Sequence, residues 1–262
     1  MGRIGRISGL LAAISLTLGL SGCGAQYDTT SPRSAREHAT ADAKHVSLDT
    51  SEGGAGAGAV DCAKAKCVAL TFDAGPSENT PRLLDILKRE HVHASFFMLG
   101  KNHIEKHPDL VRRIADEGHE LANHTWSHKI LTKTDSDEVR SQLSRVQDAV
   151  EKLTGRKPLL MRPPQGRTDE RVSKISKELG LAQVLWSVTA KDYRTTDSAL
   201  IKKRVLEQTD RDGIILLHDI YRGTVPAVPG ILAELKKRGY TVVTVSRLLA
   251  PATAEPGKVY RP

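Results

Sequence analysis

His124, His128, Asp73 and His218 are the residues whose types and spacing could carry chemistry. Two histidines four apart lie about one helical turn apart, so both imidazoles can face one point. That suits a divalent cation of the zinc class, which takes imidazole nitrogen at roughly 2.0–2.1 Å. In a chain with ten histidines such a pair, taken alone, is more often two surface residues. Its setting points further. Asp73 closes the apolar run Val68–Phe72, and His218 closes Ile214–Leu217. Both runs read as buried strands that end on an ionisable residue. In parallel α/β folds chemistry gathers at the carboxyl ends of strands.

Positioning these groups falls to an alternating pattern of strands and helices. The predicted strands are Val68–Phe72, Ala94–Leu99, Glu120–Asn123, Leu159–Met161, Ala182–Trp186, Ile214–Leu217 and Thr241–Val245. Between them the 3.6-residue apolar period predicts helices over Thr80–Glu90, Pro108–Glu117, Asp137–Leu153, Asp169–Leu179, Ser198–Gln208 and Val228–Arg238. Gly118, Gly155, Gly180 and Gly239 stand where several of these helices end, as left-handed caps require. Six or seven βα units in about 185 residues predict an α/β fold whose parallel sheet of about seven strands closes, or nearly closes, into a barrel.

The 262 residues allow one sizeable domain plus extras. Charged residues reach 27% and aromatics only 4%, with a net charge of +8. That balance favours anionic surroundings, yet no basic stripe with interleaved aromatics points to nucleic acid. Residues 1–22 carry Arg3 and Arg6, an apolar run and small residues before a cysteine, the pattern of a secretory signal. The ending Leu20-Ser21-Gly22-Cys23 resembles the bacterial lipobox, which implies cleavage before Cys23 and a lipid anchor on its sulfur. The expected setting is therefore extracytoplasmic, anchored to the bacterial membrane and facing an anionic cell wall. Residues 23–61 are rich in Ser, Thr, Ala and Gly and read as a flexible tether. Residues 62–250 would form the folded domain, and 251–262 a tail. Cys62 and Cys67, in an oxidising compartment, are most simply a small disulfide loop, since no further cysteines complete a metal site.

Five motifs then occur in order: Thr71-Phe72-Asp73-Ala74-Gly75-Pro76, His124-Thr125-Trp126-Ser127-His128, Arg162-Pro163-Pro164-Gln165-Gly166, Trp186 with Asp192-Tyr193, and Leu216-Leu217-His218-Asp219. Together they resemble the polysaccharide deacetylases of carbohydrate esterase family 4. The resemblance runs from about Cys67 to Leu249 and implies a distorted, incomplete (β/α) barrel. It implies metal-assisted hydrolysis of N-acetyl groups on an N-acetylglucosamine-containing glycan, peptidoglycan or chitin-like. The chain is expected to act as a monomer. It assigns the metal to His124 and His128, with zinc first and cobalt or nickel as alternatives. Asp73 matches the family's base and Arg162 the arginine that positions it. His218 matches the acid that protonates the leaving amine, and Asp192 the carboxylate that orients His218. The backbone N–H of Gln165 falls on the oxyanion donor, while Leu216, Trp186 and Tyr193 would line the slot for the acetyl methyl. Taken singly, Asp73 would serve as a helix cap, Asp192 and Arg162 as a structural ion pair, and His218 as a core histidine. His91, His93, His103, His107 and His119 lack such company and read as surface residues.

The pattern breaks at one consequential place. The family's second aspartate, a metal ligand, is Ala74 here. Catalytic zinc sites usually have three protein ligands, so metal affinity should drop. Gln165 also replaces the usual tyrosine, and Thr189 and Tyr193 replace the aspartate and tryptophan around the fourth motif. Two other readings follow: an esterase for O-acetyl groups such as those of acetylated xylan, and a non-catalytic glycan-binding lipoprotein.

Overall fold

The structure is a computed structural model that describes residues 1–2, 27–45 and 60–262. Among the described residues ten strands follow one another as β1 (Thr29–Thr30), β2 (Lys66–Asp73), β3 (Ser95–Met98), β4 (Glu120–Asn123), β5 (Leu160–Met161), β6 (Ala182–Val184), β7 (Val188–Thr189), β8 (Ile214–Leu217), β9 (Tyr240–Val243) and β10 (Val259–Tyr260). The helices are α1 (Pro32–His45), α2 (Thr80–Arg89), α3 (Pro108–Asp116), α4 (Ser136–Thr154), α5 (Glu170–Glu178), α6 (Ser198–Gln208), α7 (Thr224–Lys237) and α8 (Val245–Leu249). The sheet runs β1-β10-β6-β5-β4-β3-β2-β8-β7, with β9 paired to the start of β2. Every pairing is parallel, and the sheet curls into an incomplete (β/α) barrel.

Alternation along β2 separates two layers of core. Val68, Leu70 and Phe72 pack outward against α2 and α7 residues such as Leu83, Leu87 and Ile231. Cys67 and Ala69 face the other way, with Phe97, Val184 and Ile214. The same period of two places Thr71 and Asp73 on the inner face, at the barrel mouth. The helices form for legible local reasons. Leu83, Leu84, Ile86 and Leu87 give α2 one buried stripe, and Pro81 sits in its first turn, where a missing N–H costs nothing. Asp135 caps α4 by accepting from the N–H of Glu138, and Gly155 closes it at φ 69°.

Several expectations are corrected here. The tether predicted over 23–61 contains β1 and α1, both docked on the barrel. A polar segment with few large apolar residues docks because its charge is satisfied by partners far along the chain. Arg36 is buried, lies 2.7 Å from Asp212 and donates to the carbonyl of Leu248 at 2.6 Å. The tail over 251–262 likewise supplies β10, which bridges β1 and β6. The strand expected over Thr241–Val245 ends at Val243, because Thr244 turns to cap α8 by accepting from Arg247 N–H. His119 is buried beneath Phe96, not on the surface. Cys62 and Cys67 are joined in a disulfide. The signal segment, Cys23 and the glycine-rich run lie outside the described residues. Among those described, no helix is long and apolar enough to cross a membrane.

Candidate active site

Sheet register assembles the site. Phe72 pairs with Leu217, so Asp73 and His218 leave neighbouring strands at the same level. Met98 pairs with Asn123, and Asn123 with Met161, so His124 and Arg162 emerge at the corresponding level of β4 and β5. Four residues up to 145 positions apart in sequence thus meet at one end of the sheet. They surround a cleft of about 540 Å³ whose walls include Asp73, His124, His128, Trp186, Tyr193 and His218. Ala74, Gln165 and Leu216 line it as well.

The two histidines do not lie on a helix. They belong to the loop after β4, where Thr125 and His128 both take positive φ, 74° and 59°. Side chains buried beneath the loop hold that shape. Asn123 accepts from the N–H of Thr125, and Gln142 on α4 accepts from the N–H of Ser127 while donating to its hydroxyl. The imidazoles nonetheless meet, with ring centroids 4.9 Å apart. His124 Nδ1 lies 2.8 Å from the Arg162 carbonyl, which as an acceptor places the proton on Nδ1 and leaves the Nε2 lone pair free. Burial pushes His124 down to about 4, against the opposing charge of Asp73. Burial likewise lowers His128, again opposed by Asp73. Both rings are therefore neutral near pH 7, the form that ligates.

Arg162 spans the barrel interior. Its Nη1 lies 2.6 Å from Asp73 Oδ1 and donates to the Thr71 hydroxyl at 2.8 Å, while Nε donates to the Val184 carbonyl. Its guanidinium also lies 4.1 Å from the centre of the Phe97 ring. Every part of a fully buried cation is thus partnered, as its desolvation demands. Asp73 is left with its other oxygen 3.8 Å from His124 Nε2.

His218 is held from behind. Asp192 Oδ1 lies 2.9 Å from its Nδ1, and Oδ2 accepts both its backbone N–H and the Thr224 hydroxyl at 2.8 Å each. Burial alone would lower the His218 pKa; the hydrogen bond and charge of Asp192, with Asp73 beyond, overcome it and raise the value.

The residues present fit a divalent cation, though loosely. Two neutral imidazoles, one with its tautomer fixed by a carbonyl, stand beside a carboxylate. Ala74 adds no donor, and among the described residues no cluster of three or more His, Cys, Asp or Glu is arranged as a metal cage. Ala74 itself sits at φ 65°, a backbone region that asparagine and aspartate enter more readily than alanine.

All ten predicted catalytic, metal and substrate positions therefore collect at this cleft, eight on its walls and Arg162 and Asp192 behind it. Sequence reading missed Thr71, Thr224, Asn123 and Gln142, which hold the machinery without touching the cleft. It also missed Tyr221, whose ring centre lies 5.4 Å from that of His218. Two had a signal available: Thr71, two residues before Asp73 on the same face of its strand, and Tyr221, three residues beyond His218.

The family model described as polysaccharide deacetylase matches residues 61–184. The peptidoglycan-N-acetylglucosamine deacetylase PgdA of Listeria monocytogenes is 41% identical over 184 residues, which are 70% of this chain and 39% of that protein. The chain therefore spans about two-fifths of that relative's length. Among solved structures, the T48 deacetylase with substrate aligns with a TM-score of 0.74 at 40% identity, covering 77% of this chain and 100% of that one. BA3943 of Bacillus anthracis, described as a CE4 family pseudoenzyme, aligns at 0.68 and 27% identity over 75% of this chain and 70% of its own.

Proposed function

This chain belongs to the polysaccharide deacetylase family, and we propose that it hydrolyses N-acetyl groups on N-acetylglucosamine-containing polysaccharide of the bacterial cell wall. The observation that carries the reading is the pair of opposed groups in the cleft, each with its own buried partner. Asp73 is held by Arg162, and His218 by Asp192. An amide needs both: a base to activate water and an acid to protonate the departing amine.

A divalent cation bound by His124 and His128 would polarise the acetyl carbonyl and acidify a water. Asp73, fixed by Arg162, takes the proton from the attacking water. The backbone N–H of Gln165 faces the developing oxyanion, a contribution typically of about 3–4 kcal/mol. His218, protonated on the ring that Asp192 orients, delivers a proton to the leaving nitrogen. Leu216, Trp186 and Tyr193 wall the acetyl methyl. Peptidoglycan is favoured as substrate by the deacetylase relatives in Listeria and Bacillus. An anchor at Cys23, an extracytoplasmic location and a monomer complete the reading.

The test is acetate release from N-acetylglucosamine oligomers by the purified protein, with zinc, cobalt or nickel and with chelator. Metal-dependent release supports the assignment; absence of release under every condition overturns it. A second reading, non-catalytic glycan binding, is favoured by Ala74 and by the likeness to BA3943, a mutant of which has restored enzymatic activity. An O-acetyl esterase is separated from both by hydrolysis of acetylated xylan.

A further inference from the structure

The N-terminal strand does more than extend the sheet. Arg261 N–H donates to the Thr30 carbonyl at 3.0 Å, which ties β1 to the segment after β10 beside β6. Where they meet, Tyr27 and Arg261 wall a cavity of about 170 Å³ with Gln165, Gly166, Leu185 and Trp186. Gln165 and Trp186 also line the active-site cleft, so the two spaces share a wall. Beyond Tyr27 the surface continues as a shallow depression edged by Lys174, Lys177 and Lys258 and, in equal number, by Asp28, Glu170 and Glu255, so the one unbalanced charge at the cavity itself is Arg261. Trp186 is seated firmly: a Cβ at Gly166 would come within 3.0 Å of its ring, so the indole lies directly on that glycine.

This space has the chemistry of a sugar-binding surface. Aromatic rings at Tyr27 and Trp186 line it, apolar surface that suits the C–H face of a pyranose, and a guanidinium suits a carboxylate. The match to the family model covers residues 61–184, so Tyr27 and Arg261 lie outside it, while Gln165 and Gly166 lie within it.

Resting on the reading of the substrate as a glycan, we propose that Tyr27 and Arg261 form a further subsite. It takes a carboxylate-bearing sugar of the same strand, beyond the unit being deacetylated. Tyr27 supplies stacking, and Arg261 supplies selectivity for an anionic over a neutral glycan. The N-terminal segment is thereby a determinant of chain length and charge preference, with no part in the chemical step.

The test compares the wild-type protein with Tyr27→Ala, Tyr27→Phe and Arg261→Ala. Substrates are a short neutral N-acetylglucosamine dimer, a neutral pentamer, and peptidoglycan glycan fragments whose muramoyl units carry free carboxylates. Steady-state acetate release is read beside binding followed by tryptophan fluorescence. Tyr27→Ala is expected to weaken KM and Kd for the pentamer about tenfold, the equivalent of about 1.4 kcal/mol. The kcat and the dimer KM should stay unchanged, and Tyr27→Phe should restore pentamer binding. Arg261→Ala should erase the preference for carboxylate-bearing fragments and leave the neutral pentamer unaffected. Unchanged ratios in both alanine variants overturn the subsite while leaving the deacetylase reading intact. If the wild type binds glycans but hydrolyses none, the deacetylase reading falls and the binding comparison still decides the subsite. If it binds none, the subsite falls as well.

Discussion

One carboxylate grips His218 twice: Asp192 lies 2.9 Å from its ring Nδ1 through Oδ1 and accepts its backbone N–H at 2.8 Å through Oδ2. Ring orientation, tautomer and the exit angle of the chain from β8 are thus set by a single buried group, itself steadied by the Thr224 hydroxyl.

From this follows the behaviour of Asp192→Asn. An acid at His218 would have to be protonated, so activity would fall as pH rises through its pKa. Asp192 raises that pKa against the effect of burial; removing the charge should move the alkaline limb of the rate profile to lower pH. The amide rate should drop by at least about 100-fold, the lower end of what a positioned acid or base contributes. An activated ester, whose leaving group needs no proton, should lose much less. A kcat–pH profile on both substrates checks this; equal losses would count against the acid role.

Ala74→Asp should raise metal affinity by at least about tenfold, about 1.4 kcal/mol. The side chain would enter the cleft beside His124 and His128, and the left-handed backbone already accommodates aspartate. Titration with zinc by calorimetry measures the change, and the folded protein should be no less stable. An unchanged affinity would mean that position 74 does not point a carboxylate at the histidines.

Arg36→Ala tests whether the N-terminal helix is part of the fold. The substitution leaves Asp212 buried without its closest partner, at 2.7 Å, and removes the bond to Leu248. A loss of about 3 kcal/mol is expected in chemical denaturation. A change under about 0.5 kcal/mol would mean that α1 behaves as a tether after all.

Asp219 predicts a pH-dependent stability. Its carboxyl is buried, and burial pushes it up to about 6 although the Thr80 hydroxyl donates to it. The unfolded chain releases that proton near 3.9. Between about pH 4 and 6 the folded form therefore holds more protons, and stability declines as pH rises through that window. Asp219→Asn keeps an acceptor for Thr80 and has no charge to bury. Its stability should gain on the wild type across that window by about 2–3 kcal/mol and stay level above it. Thermal melts from pH 4 to 8 give the answer; parallel curves would sink it.

Strand and helix order was legible in the chain because each element carries its own signal. The Val68–Phe72 run, the α2 stripe and the glycines after four helices are local patterns that packing reinforces. The site residues were legible through their order and through their placement at strand ends, where register makes Asp73, His124, Arg162 and His218 meet. Other features have no local signal. Nothing in Pro32–His45 announces a docked helix, because its anchor is an ion pair with Asp212, far along the sequence. The spacing of His124 and His128 suggests a helical turn, yet buried Asn123 and Gln142 shape a loop that brings the same rings together. Residue types and their sequence order by themselves determined which chemistry this protein is equipped for. Only the tertiary structure decided what surrounds it, since the partners of Thr224 and Arg36, and the neighbours of Tyr27 and Arg261, come together only when the sheet curls into its incomplete barrel.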